Sequence, residues 1–153
     1  FCVPPSSVKE TNGKRESQLD QNLASRGLQA WDGVEEQTRR DFPRSCEAYR
    51  VVQFASSRGL EGWVVVLDGL DEFWNHAYQS RLERGIDEDS LESLETAATR
   101  EAWRWALIPL TRPIDTLVIS ITDPASPLAL AIARAQEKRP DIIEFYELDE
   151  HIE

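Results

Sequence analysis

The chain contains no methionine and only two cysteines, Cys2 and Cys46. Two thiols can neither build a disulfide framework nor supply four ligands to a structural zinc, so a reduced, cytoplasmic setting is the default. His76 and His151 are isolated, and no metal-binding spacing follows from them. Nothing approaches the roughly 18 consecutive apolar residues of a membrane helix, which excludes a helical span. There is no basic-then-apolar leader, and a chain opening Phe1-Cys2-Val3 reads as a piece of a longer protein. Glycine-rich phosphate loops are missing as well. Asn12-Gly13-Lys14-Arg15 contains Gly-Lys, but Arg15 stands where Ser or Thr should hold magnesium and Val8 where a glycine is required. Alone, such a chain is not expected to hold a nucleoside triphosphate tightly.

Basic residues are also in deficit: 17 Lys and Arg face 28 Asp and Glu, a net charge of −11. That sum disfavours contact of the whole chain with a phosphate backbone. The imbalance is local, however. Residues 141–153 hold six acids and no Lys or Arg, residues 83–101 hold seven acids against Arg84 and Arg100, and the remainder is balanced at 15 of each sign. Any nucleic-acid track is therefore expected away from these two segments, read as an acidic insertion and an acidic C-terminal segment.

What is present is enough apolar material for one core: 41% of 153 residues. Phe1 to Val3 reads as the end of a buried strand leaving through Pro4-Pro5, and residues 6–16 as a loop. Ser17 and Asp20 form a capping box for a helix that Gly27 ends. Short strands are expected over Leu28 to Val34 and Tyr49 to Phe54, with loop or fraying helix over 35–48. Trp63 to Leu67 is a continuous apolar run, the pattern of a strand covered on both faces. A helix is expected from Asp71 to Arg84, then an acidic loop or solvated helix over 85–98. Thr99 is placed to cap a helix whose Trp103, Ala106, Leu107 and Leu110 form an apolar stripe. Thr116 to Ile121 reads as a strand, Ser126-Pro127 as the start of a helix stopping before Pro140, and Ile142 to Leu148 as a final strand. Alternation of strands and helices implies an α/β fold, a mainly parallel sheet with helices on both faces.

The segment Gln53-Phe54-Ala55-Ser56-Ser57-Arg58-Gly59-Leu60-Glu61-Gly62-Trp63-Val64-Val65-Val66-Leu67 resembles the fifth motif of UvrD-type superfamily 1 helicases: strand, a polar turn reading Arg-Gly-Leu-Glu, then an apolar strand. Further on, Trp103-Arg104-Trp105-Ala106-Leu107-Ile108-Pro109-Leu110-Thr111-Arg112-Pro113 and the strand after it resemble the sixth motif, helix, Thr-Arg, strand. The resemblance covers about residues 50–121 and implies that 1–153 is a single, second RecA-like domain with three layers. In that family ATP is sandwiched between two such domains, the N-terminal one supplying the phosphate loop and Mg2+ ligands. Carried over by position, Gly59 lets the backbone turn near the nucleotide and Glu61 accepts hydrogen bonds from the ribose. Arg112 is the arginine finger at the γ-phosphate. Ser56, Ser57, Arg58 and Thr111 are candidates for contacts to single-stranded or duplex DNA. Gln53 and Ala55 stand where many members carry Thr-x-His, and Pro113 where alanine is usual. A structural ion pair between Glu61 and Arg112, and plain turn roles for Ser56 and Ser57, are the alternatives read from the residues alone.

Two other readings remain. Val64-Val65-Val66-Leu67-Asp68-Gly69-Leu70-Asp71-Glu72 resembles the Walker B strand of NACHT-type signalling ATPases, with Asp68 organising magnesium and Asp71 or Glu72 polarising water. Against it, no phosphate loop lies upstream, and Thr111-Arg112 precedes a strand instead of following one. The third is a non-catalytic module whose acidic segments bind a basic partner. Of the five tryptophans, Trp63 and Trp103 are expected in the core rather than as base-stacking platforms.

Overall fold

The computed structural model describes residues 1–11, 13–43, 48–85 and 91–146. Pro4 has no N–H to give to a ladder, so the first strand, β1 (Cys2–Val3), stops after two residues. Despite its length it is the middle of the sheet, parallel to β5 (Tyr49–Gln53) on one side and to β6 (Gly62–Leu67) on the other. With β4 (Ala30–Asp32) outside β5 and β7 (Pro113–Ile119) outside β6, the order is β4-β5-β1-β6-β7, every neighbouring pair parallel.

Strand alternation sorts the core into two parts. Cys2, Val52, Val65 and Leu67 point to one face and pack with Phe54, Leu70, Phe73, Trp74, Ala102, Ala106 and Leu128. These come mainly from helices α3 (Leu70–Glu83), α4 (Leu94–Leu110) and α5 (Pro127–Lys138). Val3 and Val51 point to the other face, where Leu23 of α1 (Gln18–Ser25) and Val34 cover them. The chain is thus an α/β fold, a parallel sheet between two helical layers.

Short-range signals locate several ends. Ser17 Oγ accepts from Asp20 N at 3.0 Å at the start of α1, and Ser126 Oγ accepts from Ala129 N at 3.1 Å at the start of α5. The serine caps and the serine-proline start are present, but the expected capping box is not closed, because Ser17 N donates to Asp32 Oδ2 at 2.7 Å instead of to Asp20.

Five expectations are corrected. Residues 6–16 are a 3-10 turn (Pro5–Ser7) and an antiparallel hairpin of β2 (Val8–Thr11) and β3 (Lys14–Ser17), whose one apolar side chain, Val8, is too little to make an apolar alternation to read. Helix α4 starts six residues before Thr99, at Ser93, whose Oγ accepts from Thr96 N at 3.2 Å. Within 35–48, expected as loop or fraying helix, the short helix α2 (Glu36–Arg40) agrees with that reading and is not among the five. Strand β6 is covered on one face only: on the α1 side Val64 is 60% exposed, beside Ile114 and Val118 of β7. Trp63 is 72% exposed, outside the core, whereas Trp103 does pack edge-on against Trp74. The expected last strand, Ile142 to Leu148, is turn and irregular chain as far as Tyr146; its end, with Cys46, falls outside the described residues.

Candidate functional site at the amino rim of strands β6 and β7

Two turns distant in sequence meet at the start of β6 and β7. The first leaves β5 through the 3-10 turn Phe54–Ser56 and returns to the opposite end of the sheet through Arg58, Gly59 and Glu61. Gly59 has φ +81°, a conformation L side chains rarely adopt, and no atom lies within 4 Å of where a Cβ would stand. The second turn is the end of α4, where Pro109 sits in the last turn and Thr111 closes the helix. Gly62 N donates to the carbonyl of Arg112 at 3.1 Å, and Gly62 is in register with Pro113. The sheet therefore brings Glu61 and Arg112 to one rim.

Arg112 is half-buried, and its guanidinium is held by its own chain. Nε donates to Ile108 O at 2.9 Å, Nη2 to Thr111 Oγ1 at 2.8 Å, and Nη1 makes a long contact of 3.5 Å to Leu60 O. A cation over the last carbonyls of a 17-residue helix is electrostatically favourable. No ion pair joins it to Glu61 among the described residues, and Glu61 is exposed. An exposed carboxylate, a glycine turn with open space above it and an arginine with terminal N–H groups to spare fit what a ribose and a phosphate require.

The remaining sequence candidates are dispersed. Ser57 is 1% exposed with its hydroxyl donated to Phe54 O at 2.8 Å, so in this structure it holds the turn and meets nothing outside. Ser56 lies at the opposite, carboxyl rim and accepts from Arg39 Nη1 at 2.8 Å. Arg58 and Thr111 are exposed. Arg39, which the sequence reading did not single out, is the basic group bonded to that turn; with no motif around it, no sequence signal marked it.

At the carboxyl ends of β1 and β6, where the chain switches from one side of β1 to the other, parallel sheets commonly bind ligands. Here a hollow of about 170 Å³ is lined by Pro4, Pro5, Ser6, Glu72, Phe73 and His76. Glu72, its one acid, and the neighbouring Asp71 are committed to structure. Asp71, 3% exposed, accepts the N–H of Thr122 on both oxygens (3.2 and 3.1 Å) and that of Asp123 at 2.8 Å. Glu72 accepts from Ser6 Oγ and from Thr122 Oγ1, each at 3.2 Å. Among the described residues no group of three or more His, Cys, Asp or Glu side chains is arranged to hold a metal ion. Burial raises the Cys2 thiol above its ordinary pKa, and at 4% exposure it is not presented to a substrate. No described helix is long and apolar enough to cross a membrane.

Comparison of the chain with protein-family models, with curated proteins and with solved structures returned no match.

Proposed function

We propose that the chain is the second RecA-like domain of a UvrD-type, ATP-dependent DNA helicase or translocase acting in the cytoplasm. The observation that carries the proposal is the meeting of the two motif-bearing turns. Arg-Gly-Leu-Glu and Thr-Arg, about 50 residues apart, are joined by the Gly62 to Arg112 hydrogen bond at one rim. Any two turns that enter neighbouring parallel strands meet in this way; what supports the reading is that these two bring an exposed carboxylate and an arginine with spare donors to the same rim. In this reading Glu61 accepts from the ribose hydroxyls, Gly59 lets the backbone approach them, and Arg112 meets the charge developing on the γ-phosphate. ATP, Mg2+ and the phosphate loop come with an N-terminal RecA-like partner domain. DNA passes over surfaces that include Arg58, away from the acidic segments, while Ser56 and Ser57 support the turn that follows β5.

The test is Arg112→Ala in the full-length protein. Fingers of this kind contribute about 10³–10⁵ in rate, so DNA-stimulated ATP hydrolysis is expected to vanish with folding intact. Unchanged turnover sinks the proposal. The isolated chain should hydrolyse no ATP; turnover by it, lost on Asp68→Asn, would favour the Walker B reading instead.

A further inference from the structure

We propose that Thr111 is a positioning residue for Arg112, its hydroxyl setting the direction in which the guanidinium faces the nucleotide. The inference rests on the reading of Arg112 as the group at the γ-phosphate. A guanidinium has five N–H donors in a rigid plane. Three are engaged here, by the carbonyls of Ile108 and Leu60 and by Thr111 Oγ1. That leaves one N–H on each terminal nitrogen, a pair able to grip phosphate oxygens in a bidentate way.

Which way that pair faces depends on rotation about the side chain's long stem, and the anchors at Nε and Nη2 stop the rotation. The anchor at Nη2 is the shorter and has no backbone substitute. Thr111 has one O–H donor and two lone pairs. The donor lies within reach of Leu107 O at 3.0 Å and Ile108 O at 3.1 Å, two carbonyls at the end of α4, while a lone pair takes Arg112 Nη2 at 2.8 Å. The hydroxyl therefore bridges the rigid end of a 17-residue helix to the guanidinium. This is a different role from the DNA contact expected for Thr111. It is also one the neighbouring side chains cannot supply, because Leu110 and Pro113 carry no side-chain polar atom.

Valine reproduces the shape of threonine without the hydroxyl, and serine restores the hydroxyl without the methyl. In the full-length protein, Thr111→Val is expected to lower kcat for DNA-stimulated ATP hydrolysis about 10- to 100-fold, the scale on which misplacement of a reacting group is felt. KM for ATP should change little, and Thr111→Ser should recover most of the rate. Circular dichroism and a thermal melt check that each variant is folded; if valine impairs folding, Thr111→Ala is read in its place with the same expectations. The positioning role is overturned by unchanged kcat in the hydroxyl-free variant, by an equal loss in Thr111→Ser, or by a loss confined to KM. A weakened affinity for DNA with normal kcat at saturating DNA would overturn it too and return Thr111 to DNA contact. Each of those results, obtained while Arg112→Ala abolishes turnover, leaves the helicase reading standing; turnover that survives Arg112→Ala removes both.

Discussion

At the carboxyl rim of the sheet Asp71 is 3% exposed and both of its oxygens accept backbone N–H groups of the loop between β7 and α5, whereas at the amino rim Arg112 is half-exposed and keeps two terminal donors. Both follow or precede a strand in motifs that resemble ATPase signatures. The difference lies in what each has left to offer. A carboxylate whose two oxygens are taken by backbone amides is an architectural clamp. A guanidinium resting on a helix end has a fixed base and a free tip, which is the condition for acting on a ligand.

The contrast can be broken in order of expected effect. Most severe is Arg112→Ala, with its loss of about 10³–10⁵ in ATP turnover and only a modest effect on the melt, since the group removed is a half-exposed helix cap. A large drop in Tm with residual turnover would make Arg112 the structural residue. Next comes Asp71→Ala, which strands two inward-facing N–H groups and should cost about 2–3 kcal/mol. For a chain of this size that lowers Tm by about 4–12 °C. A normal melt combined with lost hydrolysis would mark Asp71 as catalytic and revive the Walker B reading.

The smallest effect tests a charge that belongs to neither rim. Burial, and then the neighbouring carboxylates of Asp32 and Glu16, raise the pKa of Asp20. A carboxyl whose folded pKa lies above its unfolded value binds its proton more tightly when folded, so ionised Asp20 opposes folding at neutral pH and the penalty fades as pH falls through the raised value. Asp20→Asn should therefore raise Tm slightly at pH 7, the favourable place of a carboxylate in the first turn of α1 offsetting part of the gain. The difference should shrink on acidification. A lower Tm at pH 7 would show that the helix-end attraction dominates.

What could be read in the sequence was local. Ser17, Ser126-Pro127 and Gly27 announce helix ends because caps act within a few residues, and the apolar run to Leu67 announces a strand because burial demands it. The hairpin Val8 to Ser17 was not legible, since beyond the inward Val8–Ser17 pair at its base Lys9, Glu10, Lys14, Arg15 and Glu16 are all exposed and betray no period of two. The start of α4 was missed because Ser93 lies among acids that read as an insertion. At the site, the motif residues Gly59, Glu61, Thr111 and Arg112 stood out in the sequence. Their use did not: nothing local says that Ser57 turns inward, or that Thr111 Oγ1 takes Arg112 Nη2.

Composition and pattern by themselves determined an α/β chain with parallel strands, the two acidic segments, and the motifs that suggest a partner domain. Tertiary structure decided the order β4-β5-β1-β6-β7, the exposure of Trp63, and the meeting of Glu61 and Arg112 at one rim while Asp71 was spent at the other. The physical reason is one of range. Caps, periodicity and turn conformations are energies between residues a few positions apart. Strand order, and whether a charged group ends against a backbone amide or facing water, depends on neighbours some 50 positions away, which no local pattern records.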